Sequence, residues 1–203
     1  MKFKYILPLL VFSSVNINMG AQEVEKKLDE AKSLYKDGNL EETRFALQQA
    51  LNELDIIIGK EILELLPAKM NNLDANMAND QVTGASAGFA GLYVDRTYGG
   101  NEGQNEASVQ LISDSPLLSG INAVLAMPAI MASQNPDQKR IKVDGYKALM
   151  QKNANEEGVV SYDVQIPFGN SLITFSCKGF SSENEVISMV NTIPVSKIVA
   201  KAK

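Results

Sequence analysis

The stretch that most constrains this chain runs from Tyr162 to Cys177. Apolar and polar residues alternate on either side of Gly169-Asn170, a pair suited to a two-residue hairpin turn. Folding the chain back there sets Phe168 opposite Ser171, Ile166 opposite Ile173, Val164 opposite Phe175 and Tyr162 opposite Cys177. One face of the hairpin is then almost wholly apolar, and the other carries Ser161, Asp163 and Gln165. A slip of one residue would turn the whole apolar set into water, so burial fixes the register. Pro167 lies beside the tip, where one missing N–H is tolerated.

A second hairpin reads just as clearly. Asp144-Gly145 suits a type I′ turn, in which both central residues have positive φ. It pairs Val143 with Tyr146, Lys142 with Lys147 and Ile141 with Ala148, with the lysines together on a solvated face. Upstream, Leu92, Val94, Arg96 and Tyr98 share one side of a strand, and Ala107 to Ser113 forms its partner across a turn-rich loop. Consecutive strands with short connections specify an antiparallel sheet, here with helices on one face and water on the other.

The remaining periodicity is helical. Val24, Leu28, Ala31 and Tyr35 make one stripe, ended by Gly38. Asn39 is placed to cap a second helix, with Glu42 reaching back in a variant capping box, and Pro67 ends that helix at the latest. Gly59 is a candidate kink within it. Ser115-Pro116 opens a third helix, apolar nearly all round and therefore read as buried, ending near Pro128. Ser182 to Glu185 opens a last helix with a capping box, stopped by Pro194, and the basic tail frays beyond Val199. No periodicity marks the small, polar stretch 68–90. The expected fold is thus α+β: an N-terminal helical hairpin, then an antiparallel sheet flanked by helices. The divisions are a leader over 1–21, the hairpin over 22–66, a linker over 67–87 and an α+β domain over 88–203.

The leader has the form of a secretory signal peptide. Lys2 and Lys4 precede an apolar run from Tyr5 to Phe12, and Gly20-Ala21-Gln22 offers a cut site, although Met19 is larger than the usual residue there. An uncleaved anchor is the rival reading, but the apolar run falls far short of the ~20 residues that span a bilayer. The expected location is periplasmic or secreted, in soluble form. The chain carries a net charge of −5; losing 1–21, with two lysines and no acid, takes it to −7. That balance disfavours nucleic acid, whose phosphates need clustered Lys and Arg.

There is no histidine and one cysteine, Cys177. Histidine-dependent triads and metal sites are excluded, and no disulfide can form within the chain. Cys177 sits in an apolar strand and reads as core. Asn101 to Glu106 lacks the spaced acids of an EF-hand and reads as a loop. Arg96, amid apolar neighbours, is a candidate anion contact or one half of a structural ion pair. The Met-rich run over 116–132 is a core helix or an apolar groove lined by Leu117, Ile121, Val124, Leu125, Met127 and Met131. No cofactor or metal is expected.

Two resemblances add to this reading. Ala31, Leu34, Gly38, Leu40, Leu47 and Ala50 occupy positions where a tetratricopeptide repeat has small or apolar residues and its turn glycine. The hairpin resembles one such repeat, with Thr43 in place of an alanine and without the closing proline. From Gly88 to Ile198, the runs Arg96-Thr97-Tyr98, Ile112-Ser113-Asp114-Ser115-Pro116 and Val143-Asp144-Gly145-Tyr146, with the Met-rich helix, are similar to a group of exported bacterial α+β proteins. The hairpins around a Gly-Tyr turn also resemble the Mog1/PsbP-like sandwich. That resemblance implies an assembly factor or binding module and assigns no catalytic residue. The expected function is a non-enzymatic exported module acting through protein–protein contact or self-association at the hairpin. The alternative is a carrier of an apolar small molecule or lipid.

Overall fold

The computed structural model describes residues 16–84, 91–100, 105–127, 136–154 and 158–202. Helix α1 (Asn16–Lys36) and helix α2 (Leu40–Leu65) form an antiparallel hairpin. α1 runs through the proposed cut after Ala21. The turn is tighter than a capping box. Gly38, at φ +75°, donates its N–H to Tyr35, and Asn39 donates to Leu34, which closes α1 in the double bond of a Schellman motif. Asn39 still caps α2, its Oδ1 accepting from the Glu42 N–H at 3.3 Å. Its own N–H is already used by Leu34, so Glu42 has nothing to reach back for.

α2 continues unbroken through Gly59. Gly59 is a close-approach point rather than a kink: a Cβ there would sit 2.4 Å from Val82 Cγ1 and 3.0 Å from Leu92 Cδ1. Leu66, forced into extended geometry ahead of Pro67, ends the helix.

Within the segment 67–87, expected to be a linker, residues 69–83 contribute structure. β1 (Lys69–Met70) and β2 (Leu73–Asp74) make a small ladder, a 3-10 turn spans Met77–Asn79, and β3 (Gln81–Thr83) joins the main sheet. These strands are too short to show an alternation, which is why the sequence hid them. The sheet continues with β4 (Tyr93–Gly99), β5 (Glu106–Ser113), β6 (Gln138–Val143), β7 (Tyr146–Ala154), β8 (Val160–Phe168) and β9 (Ser171–Lys178). Its order is β3-β4-β5-β9-β8-β7-β6, antiparallel throughout the described residues. Both tight hairpins have the expected register. Asp144 and Gly145 both have positive φ, as a type I′ turn needs, whereas Gly169 alone does at the other tip.

One sheet face, carrying Val94, Leu111, Ile173 and Ile166 in one cross-strand row and Val109, Phe175, Val164 and Met150 in the next, is buried under the inner half of α2 and two C-terminal helices. These are α4 (Glu183–Val190) and α5 (Val195–Ala202). α5 replaces the expected fraying tail. Val195, Ile198 and Val199 are at most 3% exposed, and Lys201 pairs with Glu61 of α2 at 2.6 Å. The Asp144 carboxylate of the β6–β7 turn accepts the Ser196 N–H at 2.7 Å and so caps α5. At the start of α4 the Ser182 side chain makes no capping bond; its carbonyl accepts from Glu185 and Val186.

α3 (Leu118–Ala126) lies on the opposite face, so helices flank the sheet on both sides. It starts later than expected: Ser115 Oγ accepts the Leu117 N–H at 3.4 Å, ahead of the helix proper. It is not a buried core helix. Only Ile121 is buried, on Leu149 and Leu172, and Arg140 holds the helix by donating to the Val124 carbonyl at 2.8 Å. Among the described residues no helix is long and apolar enough to cross a membrane.

Candidate functional site

Arg96 is committed to the fold. Its guanidinium grips the Asp80 carboxylate bidentately, with Nε to Oδ1 at 2.9 Å and Nη2 to Oδ2 at 2.5 Å, and Nη1 donates to the Leu66 carbonyl at 3.3 Å. Tyr98 donates to the Pro67 carbonyl at 3.0 Å. Two β4 side chains thus hold the chain where it leaves α2, at the carbonyls of the cap residue Leu66 and of Pro67. The anion that Arg96 meets is Asp80, and a guanidinium 5% exposed has little to offer a ligand.

Among the described residues, the proposed lining of an apolar groove on α3 is split between buried and exposed positions. Ile121 is buried, Val124 and Leu125 are half-buried, and Leu117 and Met127 are 55% and 44% exposed. Met131 lies outside the described residues, as do 101–104 of the candidate loop. A shallow hollow of about 420 Å³ beside α3 takes in Leu125 alone of the proposed set, with Tyr146, Lys147 and Pro167 for company.

Two other places stand out. The first is the outer half of the hairpin. Leu40, Leu47, Leu51 and Leu54 of α2 are 66%, 44%, 58% and 42% exposed, and Leu28 and Tyr35 of α1 are 48% and 66% exposed. Their spacings of three, four and seven put each set on one helical stripe. Thr43, Ala46 and Ala50, the residues of α2 buried toward α1, lie roughly a quarter turn away from the leucine stripe. On α1, Leu28 and Tyr35 lie off Ala31 in the matching sense. Because the helices run antiparallel, both stripes open onto the same flank of the hairpin. Residues 45–52 carry no charge at all.

The second is a polar trough on the α3 side of the sheet, beyond the patch that α3 covers. Cross-strand register sets Asp95, Gln110, Thr174 and Gln165 in one row and Thr97, Ser108, Ser176 and Asp163 in the next. The 3-10 turn walls one edge, where Asn76 Nδ2 donates to the Gly99 carbonyl at 2.8 Å. The half-open hollow between them is about 540 Å³.

The chain matches no family model, no curated protein and no solved structure.

Within the trough, Asp95 is 7% exposed, and its Oδ1 has no hydrogen-bond partner among the described residues. Burial raises its pKa, against a hydrogen bond from Gln110 that lowers it and the Asp80 charge that raises it further. A buried acceptor without a donor costs about 1–3 kcal/mol. Asp163 is better served, accepting from Ser176 Oγ at 2.6 Å and Asn153 Nδ2 at 2.9 Å. Lys178 lines the trough but pairs with Glu106 at 2.6 Å. Asp95 and Asp163 stand three strands apart, about 14 Å across the sheet, well beyond the separation at which two carboxylates share a glycosidic bond. No cluster of three metal-ligating side chains occurs among the described residues. Cys177 is buried, and burial pushes its thiol up to about 12, far from the range of a nucleophile. Alternation alone exposed neither place: the leucine stripe reads as core and the trough as a wet sheet face.

Proposed function

We propose that this protein is an exported, non-enzymatic assembly module that works by protein–protein contact, and that the contact is made by the outer half of the helical hairpin. The observation that carries the reading is the flank of six apolar side chains, Leu28, Tyr35, Leu40, Leu47, Leu51 and Leu54, each at least 42% exposed. A soluble chain rarely leaves such a contiguous apolar surface bare. The partner that fits is a second copy of this chain. A hairpin presents two helices with one shared apolar flank, and two such flanks, packed face to face about a twofold axis, complete a four-helix bundle. The uncharged stretch 45–52 lets α2 meet its copy without like-charge repulsion, and depletion of charge is the mark of an interface centre. Export rests on the basic start, the apolar run and the small residues of 1–21, and leaves the apolar flank intact, since the flank begins at Leu28. The missing histidine supports a non-enzymatic role.

Deleting 22–66 would be a poor test, because Ile62, Leu63 and Leu66 are core and Leu66 anchors Arg96. Surface substitution is the better one. Light scattering after size-exclusion chromatography should give a dimer for the exported chain and a folded monomer for Leu47→Glu/Leu51→Glu. A monomer in both cases overturns self-association.

A further inference from the structure

We propose that the polar trough on the β4-β5-β9-β8 face is a binding site for a linear organic polycation, a polyamine with ammonium groups near both ends. This inference is independent of the hairpin contact.

Three features of the trough point there. The first is an unpaired acceptor: Asp95 lines the hollow, and its buried Oδ1 has no donor among the described residues. A bound N–H group would supply it, and an ammonium does so with charge as well. The second is the charge balance. The ionisable groups lining the hollow are Asp95, Glu106, Asp163 and Lys178, with the cysteine and tyrosine buried beside them. Lys178 is spent on Glu106, so among the described residues two carboxylates of the lining are left without a cation. The donors to Asp163, a hydroxyl and an amide, are neutral and leave its charge uncancelled.

The third is length. Three strand spacings and one step of two residues along β8 put the Asp95 and Asp163 Cα atoms about 16 Å apart. A metal ion cannot serve both, and needs several oxygens gathered at one point. A linear polyamine can lie across β5 and β9 with one end at each carboxylate, its inner groups over Ser108, Gln110, Thr174 and Ser176. Those neutral hydroxyls and amides hydrogen-bond an amine without competing for charge. Among the described residues the aromatic side chain at the trough is Tyr98, which is fully buried and offers no platform, and this disfavours a sugar.

Titration calorimetry of the full chain with spermine, spermidine and butylamine tests the site. Spermine should bind at one site per chain and at least tenfold more tightly than butylamine, and millimolar magnesium should not displace it. Asp95→Asn, isosteric and free of the buried charge, should weaken spermine at least tenfold while keeping the native circular dichroism. Ser108→Lys places a fixed cation in the floor without touching Asp95 and should abolish binding, which keeps the test valid if the asparagine variant folds poorly. No heat with spermine, or equal affinity in the wild type and both variants, overturns the proposal.

Discussion

The two halves of α2 face opposite demands. From Gly59 to Leu66 the helix is core: Ile62 is 1% exposed, Leu63 9% and Leu66 5%, with β3, β4 and α5 packed against it. From Leu40 to Leu54 it packs along α1 and meets Gly84 at Asn52, and its leucines lie open. The residue types hardly differ between the halves; the surroundings do. An apolar stripe therefore marks a surface to be covered without saying what covers it. In the inner half the same chain provides the cover. In the outer half the proposed cover is a second copy.

The contrast can be broken most severely at Ile62. Ile62→Ala should destabilise the monomer by about 2–5 kcal/mol, read from urea unfolding, because the site is walled in by the sheet and cannot collapse. Gly59→Ala comes next. The added methyl meets Val82 at 2.4 Å and Leu92 at 3.0 Å. Overpacking of about 1–3 kcal/mol should outweigh the roughly 1 kcal/mol gained in helix propensity, for a net loss in the same measurement.

A smaller effect, of opposite sign, is expected at Asp95. Its pKa is raised in the folded state, so the native chain holds this proton more tightly than the unfolded chain does. Stability then falls as pH rises from the ordinary carboxylate range through the raised value. Asp95→Asn should raise the thermal midpoint at pH 7, with the gain vanishing below about pH 4. The smallest effect belongs to the outer half. At concentrations where the chain is monomeric, Leu51→Ala should change unfolding free energy by no more than about 0.5 kcal/mol. A loss comparable to that of Ile62→Ala would mean that the outer stripe is core after all.

Much of the fold is legible in the sequence, and the reasons are local. Asp144-Gly145 and Gly169-Asn170 set two registers because turn chemistry and alternation agree there. The hairpin of α1 and α2 is marked by Gly38 and Asn39, although the Asn39 N–H goes to Leu34 rather than to Glu42. Sequence and structure part where local signals stop. β3 spans three residues, too few to alternate. α5 does carry a helical spacing at Val195, Ile198, Val199 and Ala202, but the proline before it reads equally as an end and as a beginning. α3 is apolar all round and still half-exposed, because only one of its sides reaches Leu149 and Leu172. Arg96 is half of an ion pair, one of its two expected roles, yet its partner Asp80 lies in the segment that reads as a linker. The trough is invisible in the sequence because Asp95 alternates as a solvent-facing residue should. Its burial comes from the folded surroundings, not from its own strand.

Whether a second copy covers the outer half of α2 can be decided by hydrogen–deuterium exchange of the chain, followed at high concentration and again after a hundredfold dilution. Self-association predicts slow exchange over 40–54 at high concentration, marked acceleration on dilution, and no change over 59–66. Exchange over 40–54 that is fast and independent of concentration would contradict it.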